Sequence, residues 1–195
     1  MSLRLETLTG NELAQVIDRV AELRIRVFRD WPYLYDGDLA YERDYLRSYQ
    51  TTPGAVVIAA WAGKELVGAS TALPLSDADP DFATAFEGSA YRLSEIFYCA
   101  ESVLLPEHRG QGAGHQFFDL REAHARTAGY AYSAFCSVIR PCDHPARPDT
   151  YQSLDPFWQR RGYRPAENIV AKFSWRDVGA ADESKKDLQF WIRKL

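Results

Sequence analysis

Leu104-Leu105-Pro106-Glu107-His108-Arg109-Gly110-Gln111-Gly112-Ala113-Gly114-His115 is the stretch on which the fold turns. Before it, residues 95–105 are rich in apolar and aromatic side chains and stop at Pro106, the pattern of a strand. After it, residues 112–128 carry Phe117, Phe118, Leu120 and Ala123 without a proline and end at Gly129, the pattern of a helix. The glycines leave their amides bare, and a helix start adds unbonded N–H groups and a partial positive charge. Such a turn suits an anion, phosphate above all. A triphosphate loop needs Gly-Lys-Ser/Thr at its end, but His115 follows Gly114. A dinucleotide fingerprint counted from Gly110 needs a sixth-position glycine, and that position is again His115. A tight strand-to-helix turn without ligand remains the plain alternative.

The rest of the chain places this turn in a mixed sheet. Leu3, Leu5 and Thr7 alternate with charged residues as in a half-buried strand. Over residues 13–28 the apolar positions Leu13, Val16, Ile17, Val20, Leu23 and Val27 form one inward stripe, leaving Arg19, Arg24 and Arg26 solvated. Trp31-Pro32 ends that helix, and a loop and a second helix, with Asp38 as cap, reach Gln50. Residues 55–61 and 65–73 form a hairpin about Gly63, and residues 74–92 a polar connection with a short helix. Residues 130–139 read as a strand, 140–150 as a Pro-rich loop, 153–161 as a helix closed by Gly162, and 169–175 as a strand. The expected fold class is α/β (α+β), a mixed sheet with helices on both faces. Residues 1–178 form the domain, and residues 179–195 an extension that docks on it through Phe190, Trp191 and Ile192.

Composition narrows the function. The 195 residues suit one domain, and no run is long and apolar enough to span a membrane. The N-terminus lacks a signal-peptide pattern, so a cytoplasmic protein is expected. A net charge of −4 argues against nucleic acid as partner. Cys99, Cys136 and Cys142 make neither a disulfide framework nor a zinc site, and the consecutive Cys142-Asp143-His144 suits no tetrahedral metal. Aromatic residues are 13 % of the chain, and seven of them crowd residues 28–49.

The Arg109-x-x-Gly112-x-Gly114 spacing, with Pro106 three residues before the arginine, resembles the pyrophosphate-binding motif of the GNAT superfamily of acyl-CoA-dependent N-acyltransferases. Phe157-Trp158-Gln159-Arg160-Arg161-Gly162-Tyr163 is similar to that family's aromatic-aromatic-x-x-x-Gly-aromatic helix end, and the element order agrees over residues 3–176. The resemblance implies a GNAT-like, mixed but mostly antiparallel central sheet of 6–7 strands, and acetyl-CoA as co-substrate, with no metal. Amides of Gly110, Gln111, Gly112, Ala113 and Gly114 would receive its pyrophosphate, flanked by Arg109 and His115. Leu104 and Leu105, at the strand end, would meet the pantetheine arm, an amide near Leu104 steadying the oxyanion.

The implied reaction is direct attack of a primary amine on the thioester. An aliphatic ammonium titrates near 10, so a base must first take its proton. Glu95 and Glu101 lie six residues apart, about 20 Å in an extended strand, so at most one serves the thioester. Glu101, nearer the turn, is the candidate base. The family's usual acid is a tyrosine four residues before the last helix's glycine; Trp158 stands there, beside the cofactor thiol, which leaves Tyr151 as the nearest phenol. Tyr33, Tyr35, Arg140 and His144 are the candidate acceptor contacts, Tyr33 and Tyr35 being the first expected to change the acceptor's KM. Aromatic faces and carboxylates between Trp31 and Tyr45 favour a small-molecule amine as partner over a phosphorylated acceptor. A protein or peptide terminus, a non-catalytic acyl-CoA sensor, and a partner-binding or homodimer-forming domain are the alternatives.

Overall fold

The computed structural model describes residues 3–195. Seven strands, β1 (Arg4–Leu8), β2 (Val56–Ala62), β3 (Glu65–Pro74), β4 (Ile96–Leu104), β5 (Tyr132–Val138), β6 (Arg164–Arg176) and β7 (Glu183–Lys194), form one sheet in the order β1-β2-β3-β4-β5-β7-β6. Every pairing is antiparallel except β4 with β5. A parallel pair needs a crossover, which here is α4 (Ala113–Thr127).

Helices α1 (Ile17–Phe28), α2 (Leu39–Thr51) and α3 (Pro80–Thr84) cover one face; α4 and α5 (Asp155–Arg160) cover the other. Alternation along the strands feeds both cores. On β2, Val57 and Ala59 join Val20 and Leu46, while Val56, Ile58 and Ala60 join Phe117 and Phe118. Burial on both faces explains the unbroken apolar run of this strand. Asp38 caps α2 by accepting from the Tyr41 amide at 2.9 Å.

Two expectations change. Residues 183–194 do not lie on the body as an appended segment: β7 is an interior strand between β5 and β6, with Phe190 and Ile192 in one core and Trp191 in the other. Its polar first half, Ser184, Lys185 and Asp187, pairs with β6 at the exposed edge, which disguised it as a tail. Arg24 is not solvated but only 8 % exposed. It lies four residues after Val20 and four before Phe28, on the inward stripe of α1, where buried carboxylates receive it.

Candidate active site

β4 and β5 pair only from Ile96 to Tyr98 and then part. On the other side of β4 the register passes from Thr71 opposite Glu101 to Leu73 opposite Tyr98, so Ala72 faces both Cys99 and Ala100. A bulge of this kind bends its strand and reverses which face later side chains occupy. Phe97 and Cys99 accordingly face α4, while Val103, of the same parity, packs beneath α1 and α2. Between the parted strands opens a cleft of about 990 Å³, walled by β4, the end of β5, the α1–α2 loop and residues 151–158. The Leu105 amide donates to Val67 O at 2.9 Å, so alternation turns the N–H groups of Ser102 and Leu104 to the opposite edge of β4, toward the cleft.

The glycine turn closes one end of this cleft. None of the amides of residues 110–115 donates to a backbone carbonyl among the described residues. Gly110 and Gly112 have φ of 75° and 85°, a left-handed backbone that side chains resist, and Gly112 directly precedes α4. Arg109 is exposed and its Nε donates to Leu104 O at 3.0 Å, tying the turn to the strand end. The His115 ring packs edge-on to Phe157, with Nδ1 3.2 Å from Arg161 Nη1. Arg161 is itself held by Asp119 and Glu122.

Farther along, Glu101 reaches the α1–α2 layer because of the bulge. Its carboxylate forms an ion pair with Arg24, which forms another with Glu42. Glu42 is fully buried, and the Glu101 side chain is 7 % exposed. Burial disfavours the Arg24 charge, but the carboxylates of Glu101 and Glu42 outweigh it and hold the guanidinium above its ordinary pKa. Tyr45 donates to Glu101 at 3.4 Å, its hydroxyl lies 3.2 Å from that of Tyr49, and Thr71 donates to Tyr49 at 3.4 Å. Burial, then the Glu101 charge, raises the Tyr45 pKa.

Solved structures share this architecture. A ribosomal-protein-alanine N-acetyltransferase from Brucella melitensis is 12 % identical over 98 % of this chain and 99 % of that chain, with TM-score 0.63. A Salmonella typhimurium protein solved with its cofactor acetyl-CoA is 12 % identical over 100 % and 95 %, with TM-score 0.58. A GNAT-family protein of Desulfovibrio desulfuricans is 10 % identical over 99 % of both chains, with TM-score 0.56. The chain has the GNAT fold. At these identities the likeness is one of fold. No protein-family model matches the sequence, and no curated protein matches it.

Within the GNAT fold, the other candidate residues fall in different places. Tyr33 and Tyr151 line the cleft; Tyr33 packs on Phe28 at 4.6 Å, and Tyr151 stands edge-on to Trp31 at 5.9 Å. Burial raises both phenols above their usual pKa. Arg140 also lines the cleft, but its guanidinium is engaged by Asp177 at 2.8 and 2.9 Å and by the carbonyls of Pro32 and Tyr33 at 2.9 and 2.6 Å. Tyr35 and His144 stand behind the wall. The Tyr35 ring covers Gly37, and His144 packs on the outer side of the group through Trp31 at 5.1 Å, its Nδ1 accepting from the Ala146 amide. Trp158 lines the cleft against Phe135 at 4.9 Å and Trp191 at 5.1 Å, and Leu105 is buried beneath the strand end.

Sequence reading missed the charged residues beneath the site. Arg121, 1 % exposed, donates from Nη1 to Thr71 O and Glu101 O at 3.1 and 3.0 Å and from Nη2 to Ser102 Oγ at 3.0 Å. It fastens α4 to β4 beside the bulge. Glu122, 2 % exposed, accepts from the Tyr163 hydroxyl at 3.0 Å and from Arg193 at 2.9 Å. The available signal was their spacing: Arg24, Arg121 and Glu122 each interrupt an apolar helix stripe four residues from a core side chain.

Proposed function

We propose that the protein is an acyl-CoA-dependent N-acyltransferase that moves the acetyl group of acetyl-CoA to a primary amine, with a small-molecule amine as acceptor. One observation carries this reading: the unpaired edge of β4 at Ser102 and Leu104 runs directly into the unbonded amides of residues 110–115. An extended amide chain pairs with the strand edge, and a pyrophosphate takes the amides, aided by the start of α4. Arg109 and His115 flank that anion, and Trp158 borders the thiol end of the cleft.

In this arrangement the thioester carbonyl meets the Leu104 N–H, which stabilises charge developing on its oxygen. Glu101 accepts the ammonium proton. The freed amine nitrogen bonds to the carbonyl carbon and gives up its second proton to water, the C–S bond breaks, and the thiolate takes a proton from Tyr151 or from water. Tyr33 borders the acceptor. The Arg24 ion pair on Glu101 favours a second reading, an acyl-CoA sensor whose carboxylate is structural. Titration calorimetry with acetyl-CoA, followed by thiol release with a panel of amines, separates them. The transferase binds acetyl-CoA and releases thiol only with an amine present, and Glu101→Gln slows release about 100-fold at neutral pH. Binding without amine-dependent release favours the sensor, and absence of acetyl-CoA binding refutes both.

A further inference from the structure

We infer that the acceptor is a primary amine with one cationic head, a flat aromatic or bulky apolar body, and no carboxylate beside the amine; this deepens, and rests on, the transferase reading above. The charge of the site comes first. Glu42 and Glu101 share the single guanidinium of Arg24, with no other cation paired to either carboxylate among the described residues. Counted as ionised groups, the set carries one excess negative charge, and its Glu101 member lines the cleft. An unmatched charge at a poorly solvated site is costly, and a ligand cation relieves that cost. One ammonium suffices.

The body of the ligand is set by the opposing walls. Trp31 and Tyr33 come from the α1–α2 loop, Val138 from the end of β5, and Tyr151 from the loop before α5. Trp31 and Tyr151 meet edge to face, so a ring entering between the loops finds aromatic partners on two sides. Arg140, the cation beside this wall, spends four hydrogen bonds on Asp177 and the loop carbonyls. Arg121 is spent on Thr71, Glu101 and Ser102, and Arg109 belongs to the glycine turn. Arg147, also on the cleft lining, lies over the Tyr151 ring and donates to Cys142 O, so it serves a carboxylate carried at the Tyr151 end and not one on the carbon that bears the amine beside Glu101. An α-amino acid would therefore bring its carboxylate toward the Glu101 charge without compensation.

Thiol release measured with 2-phenylethylamine, phenylalanine, phenylalaninamide, butylamine and spermidine tests this, alongside calorimetry with acetyl-CoA. The expected kcat/KM for 2-phenylethylamine exceeds that for phenylalanine by about 100-fold and those for butylamine and spermidine by about 10-fold. Phenylalaninamide, which keeps the bulk and loses the carboxylate, falls close to 2-phenylethylamine. Trp31→Ala raises the KM for 2-phenylethylamine about 10-fold and leaves butylamine and acetyl-CoA affinity unchanged; Trp31→Leu, which keeps bulk and loses the ring, gives the same split if the first variant folds poorly. Phenylalanine or spermidine turning over as well as 2-phenylethylamine overturns the inference. So does acetyl-CoA binding with no release from any of these amines. Absence of acetyl-CoA binding is a different result, which removes the transferase reading and this one with it.

Discussion

Glu101 on β4 and Arg24 on α1 are joined in a buried ion pair at the floor of the cleft, and the bulge at Cys99 and Ala100 makes the meeting possible. Without the extra residue, Glu101 would share the α4 face with Phe97 and Cys99. With it, the carboxylate joins Arg24, Glu42 and Tyr45 in one network. Stability and proposed chemistry are therefore coupled at one side chain.

Arg24→Met is expected to destabilise the fold by about 3–5 kcal/mol, because two buried carboxylates would lose the guanidinium they share. Arg24→Lys keeps the charge and should cost less. Urea unfolding followed by tryptophan fluorescence measures both; equal midpoints for Arg24→Met and the parent protein would show that the network carries no such energy.

The glycine turn was legible in the sequence because its chemistry is local: alternating glycines, a preceding proline and a following apolar helix all lie within one short stretch. Glu101 was legible as a carboxylate on the right strand, but its neighbours were not. Arg24 needs Glu42 and Glu101, far apart along the chain, before its burial makes sense, and it reads alone as one more solvated arginine. β7 illustrates the same limit, since its polar half belongs to a sheet edge that exists only once β6 is in place. Tyr35, on the loop with Tyr33, turns toward Glu42 instead of the cleft, a difference set by backbone path.

Gly112→Ala tests the anion cradle. Beyond the adjoining residues, no described atom lies within 4 Å of the added methyl, so the cost comes from the backbone at φ 85°, about 1 kcal/mol of strain. Shifting that backbone misaligns the free amides that follow it. Acetyl-CoA affinity should fall about 10-fold, with the KM for amine unchanged; an unaltered calorimetric isotherm would place the anion elsewhere.

Asp177 should give the fold part of its acid sensitivity. Burial alone would raise its pKa, but hydrogen bonds from Arg140 and Lys186 lower it below the ordinary value. A carboxyl depressed in the folded state contributes stability that is present above its unfolded pKa, near 4, and disappears as pH falls through the folded value. Asp177→Asn should lower the urea midpoint at pH 6, and its curve should converge on the parent's as the pH drops below 4. Parallel curves throughout would show that another group is responsible.

The thiols should separate by burial. Cys142 is exposed in the loop beside Arg147, whereas Cys99 and Cys136 are buried. Burial pushes the Cys136 thiol up to about 12, overriding its contact with the Tyr98 hydroxyl at 3.1 Å, and it raises Cys99 as well. Since the thiolate is the reactive species, iodoacetamide at pH 8 should label Cys142 within minutes and the other two only as the chain unfolds. Cys136 and Cys142 both line the cleft, so a bound acyl-CoA should slow the labelling of each. Peptide mapping with and without acetyl-CoA distinguishes the sites, and fast labelling of Cys136 in the folded protein would contradict the packing of Tyr98 over it.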